Sequence, residues 1–146
     1  MDTEKDKLEK NMDTKALFSL LKSAGDFEEV NNSFINNPAT SECLNELLIK
    51  YGVTIAQVIV RANISKSFAY QLFSGKREAS RDILLRIALA MHFTLQDTQR
   101  MLAISQKGQL YPKVRRDAAI IFCIEKRCDL HETCDLLDEI GELPLI

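Results

Sequence analysis

Residues 54–93 read TIAQVIVRANISKSFAYQLFSGKREASRDILLRIALAMHF, and this stretch decides the fold. It opens on Thr54, whose side chain can accept from an amide of a first helical turn, with Gln57 three residues on to reach back; that is a capping box. Apolar residues recur at helical spacing as far as Ala62. The turn at Asn63-Ile64-Ser65 then requires a left-handed backbone, which Gly adopts freely and Asn tolerates because its short side chain bonds locally. Ile64 is expected to point inward and Ser65 to cap the next helix, about 65–74. In that helix Ala69, Leu72 and Phe73 share the buried side, and Lys66, Ser67, Tyr70 and Gln71 share the opposite one.

Outward from this segment the same helical grammar continues. The glycines at 25, 52, 75, 108 and 141 each fall where an apolar periodic run stops, which is where helix C-caps belong. Thr94 with Asp97, and Asp129 with Glu132, repeat the capping-box spacing. Helices are expected near 13–23, 26–36, 41–51, 54–62, 65–74, 80–92, 94–104, 113–127 and 129–141, after a charged tail over 1–12 and with a break at Asn36-Asn37-Pro38. Apolar stripes lie at Leu44, Leu47 and Leu48, at Ile83, Ile87 and Met91, and at Leu130, Cys134 and Leu137. No Asn-Gly or Asp-Gly hairpin signal and no sustained alternation occurs, so the fold class is all-α.

The 146 residues carry a net charge of −2, but the charge is unevenly spread. Residues 1–60 hold six Lys/Arg against ten Asp/Glu, residues 61–86 six against two, and residues 87–146 seven against nine. A basic block between acidic flanks is the pattern of a face that meets phosphate. No apolar run approaches the roughly 20 residues that span a bilayer, and the start MDTEKDKLEK has no signal-peptide core. A cytoplasmic protein with no membrane partner is expected, its four cysteines reduced. Cys123, Cys128, His131 and Cys134 have the spacing C-x4-C-x2-H-x2-C, which fits no standard structural zinc site, so no metal and no cofactor are expected. No phosphate loop, nucleophile elbow or H-E-x-x-H occurs, and an enzyme is not expected.

The segment resembles the Cro/C1-type (XRE) helix-turn-helix family of bacterial transcriptional regulators. The marks are Ile64-Ser65, the helix ending Leu72-Phe73-Ser74-Gly75, and Lys76-Arg77 directly after it. FSGKREASRD and the later LYPKVRRD further resemble a branch with extra helices at both ends. Three positions depart from the family pattern: Asn63 stands for Gly, Ile59 for Ala, and Phe73 for an acidic residue. The resemblance implies a five-helix, lambda-repressor-like DNA-binding domain over 41–105, preceded by a tail and short helices (1–40) and followed by a helical extension (106–146). It implies that the third helix of that domain reads the major groove of double-stranded DNA. Lys66, Ser67, Tyr70 and Gln71 would then make base contacts, and Thr54, Ser65, Lys76, Arg77 and Arg81 phosphate contacts.

A homodimer is expected, because one such helix reads only a few base pairs, with the interface placed around Ile120, Ile121 and Leu137. The rival reading is a protein-binding adaptor or antitoxin-like partner that engages another protein through the flanking helices. Lys113, Arg115 and Arg116 form a second basic cluster, expected to be solvated or paired locally with Asp117 and Glu125. Ala118–Ile124 is apolar nearly all round and is expected to be buried, and the tail Leu143-Pro144-Leu145-Ile146 to dock.

Overall fold

Short polar side chains start the helices. Thr54, Ser65, Ser80, Thr94 and Asp129 stand at N-caps with extended backbone, and each accepts from the amide three residues on, satisfying a donor that a helix start leaves open. The computed structural model describes residues 14–27 and 39–146, and among these the regular elements are eight helices and no strand. They are α1 (Thr14–Ser23), α2 (Ala39–Tyr51), α3 (Ile55–Arg61), α4 (Lys66–Phe73), α5 (Arg81–Ala90), α6 (Leu95–Ile104), α7 (Arg115–Glu125) and α8 (Leu130–Glu139). The expected tail over 1–12, the break at 36–38 and nearly all of the expected helix at 26–36 lie outside the described residues. No single helix among the described residues is long and apolar enough to cross a membrane.

The other helix ends reverse through a left-handed residue followed by a six-to-one hydrogen bond. Val53 donates to Leu48 O at 3.0 Å, Lys76 to Gln71 O at 2.9 Å, Phe93 to Ala88 O at 2.9 Å and Glu142 to Leu137 O at 2.8 Å. Glycine fills the left-handed position after α2, α4 and α8, but Asn63, His92, Gln106 and Arg127 fill it after α3, α5, α6 and α7, with φ between 54° and 57°. The expectation for Asn63 holds. Gly108, expected to end α6, instead follows in the loop, because Gln106 has already turned the chain. The expected Thr94 box also forms only by half. Asp97 does not reach back to Thr94 N, which donates instead to the Tyr51 hydroxyl at 2.9 Å, and the Asp97 carboxylate binds Lys50 and Tyr51.

The chain divides into two units, residues 1–38 and Ala39–Ile146. In the second unit α5 is central, packed against α3, α6 and α8. Leu84, Leu85, Ile87, Ala88, Leu89 and Ala90 are all buried on it, and each large apolar side chain so removed from water contributes about 1.5–3 kcal/mol. Residues 106–146, read from sequence as an extension, belong to this same unit. Leu110, Ile120, Cys123, Leu130, Leu137 and Leu145 join the core cluster of α2–α6.

Two Arg-Asp dipeptides, each at a helix start, lock the extension on. Arg81 holds Asp117 through its two terminal guanidinium nitrogens at 3.0 and 2.9 Å, and Arg116 holds Asp82 at 2.9 and 3.0 Å. Each arginine sits at the unfavourable positive end of its own helix, and the aspartate beside it offsets that end. Arg81 also donates to the carbonyls of Gly108 and Gln109, and Arg116 to those of Leu143 and Pro144. These bonds replace the local pairing expected for Arg116. Nor is Ala118–Ile124 covered all round: α7 packs on α6 and α8, and Phe122 is left 54% exposed. Of the apolar tail, Leu145 is buried while Leu143 and Ile146 are exposed.

Candidate nucleic-acid interface

Helix α4 is gripped from three sides. Its inner face, Ala69, Leu72 and Phe73, is buried in the core, and Ile64 in the preceding turn is buried with it. At the turn, Arg86 from α5 donates to Ala62 O at 3.1 Å and to Asn63 O. At the far end, the Asn45 amide from α2 bridges Ser41 O and Phe73 O, both at 2.8 Å. With its orphan carbonyl satisfied and its turn pinned, α4 is a rigid ridge rather than a loosely docked element.

The outer face of that ridge is polar and open. Lys66, Ser67 and Tyr70 are exposed, and Gln71 is half-buried. Thr54 and Ser65 are exposed N-caps at the starts of α3 and α4. Lys76 and Arg77 are exposed just beyond the end of α4. The four residues expected at bases thus share one helix face, with Thr54, Ser65, Lys76 and Arg77 on adjoining segments. Arg81 stands apart from this group. Four of its five N–H donors are taken by Asp117, Gly108 and Gln109. Arg86, the other arginine of the basic block on α5, is likewise committed inside the fold.

Electrostatics single out the same two helices. In the unit 39–146, five helices carry an acidic residue in the first turn: Glu42, Asp82, Asp97, Asp117 and Glu132. Helices α3 and α4 carry none. Their positive ends are therefore not neutralised by their own side chains, which suits an approaching anion.

Gln71 and Arg77 interact directly. The Arg77 guanidinium lies over the Phe68 ring, 5.2 Å from its centroid, and Nη1 donates to Gln71 Oε1 at 3.4 Å. Sequence reading missed this contact and the holding roles of Asn45 and Arg86. Arg77 lies six positions after Gln71, and the left-handed reversal at Gly75 brings them together.

The thiols lie elsewhere. Cys43 and Cys123 are buried, and burial pushes the Cys123 thiol up to about 11. His131 is exposed and turns to Asp135 at 3.5 Å. Among the described residues no three His, Cys, Asp or Glu side chains come together as a metal site. No family model, curated protein or solved structure matches the chain.

Proposed function

We propose that this chain is a sequence-specific DNA-binding transcriptional regulator, with α2–α6 as a lambda-repressor-like helix-turn-helix domain and α4 as the helix that enters the major groove. The observation that carries the reading is the pairing of α4's polar outer face with the acid-free starts of α3 and α4. Lys66, Ser67, Tyr70 and Gln71 are the base-facing set. Thr54, Ser65, Lys76 and Arg77 hold the backbone, and Arg81 is left out because four of its five donors, and its charge, are engaged within the fold.

The test is ionic. Affinity for duplex DNA falls with salt, with a log–log slope of about −0.9 for each phosphate neutralised. Lys76→Ala flattens that slope and weakens specific and non-specific duplexes alike, since backbone contacts carry no sequence information. A salt-independent affinity, or none for any duplex, rejects the reading.

The regulator acts as a homodimer, with half-sites about 34 Å apart on one face of the duplex. Ile120 and Leu137 do not form its interface, because both are fully buried in the protomer's own core. The exposed apolar residues Val114, at the N-cap of α7, and Phe122, on α7 next to the half-buried Ile121, are the surface assigned to the partner copy. The same exposure is what favours the second reading, a protein-binding adaptor. Sedimentation of the protein alone and on DNA separates the two: Phe122→Ser yields monomers under the first and leaves self-association unchanged under the second.

A further inference from the structure

We infer that Arg77 sets which base Gln71 reads, and that the pair selects guanine at one position of each half-site. This rests on α4 entering the major groove. Gln at such a position has two options. Its amide can bind adenine bidentately, Oε1 accepting from N6 and Nε2 donating to N7, or it can offer donors alone to an edge of acceptors.

The geometry around Gln71 decides between these. Arg77 Nη1 donates to Oε1 at 3.4 Å, so one lone pair of the oxygen adenine needs is taken and a full positive charge stands beside the other. An adenine N6 amino group brought to that oxygen meets the cation hydrogen to hydrogen. Guanine presents N7 and O6, both acceptors, and is the edge that the amide Nε2–H can satisfy while Oε1 stays on Arg77. The arginine is also held in place. Its guanidinium rests on the Phe68 ring at 5.2 Å, which limits the side-chain freedom lost on binding. The contact also fixes which way the amide faces, with Oε1 toward Arg77 and Nε2 free to point away.

Arg77 is thus a positioning residue for base choice as well as a cation beside the backbone. The test is selection of bound sites from a pool of short duplexes with a randomised core, using the full chain. The unmodified protein enriches guanine at one position per half-site, by about five- to a hundredfold over adenine. Arg77→Ala moves the preference at that position toward adenine, because the freed oxygen can now accept. Gln71→Ala weakens preference there and nowhere else. Both side chains lie outside the core, and unchanged helicity and melting temperature verify that the variants fold. Adenine enriched by the unmodified protein overturns the inference and leaves DNA binding standing, as does guanine persisting unchanged in Arg77→Ala. A pool from which nothing is enriched overturns both.

Discussion

The Asp117 carboxylate takes two nitrogens of Arg81 and the Tyr111 amide within 3.0 Å. Burial pushes its pKa up, but the Arg81 and Tyr111 hydrogen bonds and the charges of Arg81 and Arg116 outweigh that, and the group lies below the usual aspartate value. Asp97 is lowered in the same way, with burial opposed by Lys50 and Tyr51. A depressed folded value stabilises the protein fully above the unfolded value of about 3.9, and this stability is lost as pH falls through the folded value. The melting temperature is therefore expected to drop steeply below pH about 4. Asp117→Asn should melt lower at neutral pH and show a shallower acid dependence, read by thermal melts across that range; parallel curves for the two proteins would contradict it. Asp117→Ala should cost about 2–3 kcal/mol, since it strands a half-buried guanidinium. At this scale the sequence was a mixed guide. Lys66, Ser67 and Tyr70 stood out because helical periodicity alone assigns a face, whereas nothing in the spacing of Arg81 and Asp117 shows that they meet.

Among the elements, what bounds each helix was legible where the chemistry is local. A cap needs only residues three apart, so Thr54 with Gln57 and Asp129 with Glu132 could be read directly. The helix ends were less legible, because four of them use a left-handed residue other than glycine. Those residues carry a conformational cost that Gly would not, and tertiary packing holds them there. Arg127, exposed with φ 57°, is the cleanest test. Arg127→Gly should raise stability by about 0.5–1 kcal/mol, the strain relieved less the extra entropy of the unfolded chain. Asn63→Val should lower it by about 1–2 kcal/mol, because a β-branched side chain resists the left-handed turn. Denaturant titrations read both, and a neutral Asn63→Val would mean that the turn is not held in that conformation.

At the level of the molecule, the boundary read at residue 105 is one of sequence resemblance and not of packing. Helix α5 faces α3 and α6 on one side and α8 on another, so a fragment ending at 105 exposes apolar surface that the full unit covers. Residues 39–105 alone should show partial helicity without a cooperative melt. Residues 39–146 should unfold in one transition, coincident by circular dichroism and by Tyr fluorescence. A sharp melt of the shorter piece would make the extension an accessory rather than part of the core. This was the feature least visible in the chain, because a helix buried on two sides and a helix buried on one differ little in apolar content over ten residues.

The bonds from Arg116 to the carbonyls of Leu143 and Pro144, with Leu145 in the core, bear on how the protein is made. Ribosomes add about 5–20 residues per second, so the forty residues from 106 to 145 take about 2–8 s to appear, whereas small helical units fold in milliseconds or less. Through that interval α2–α6 are already synthesised while the side of α5 that α8 will cover stays open to chaperones or to neighbouring nascent chains. Until those residues are made that apolar surface has no cover, so a message cut short after codon 105 releases a product that keeps it exposed.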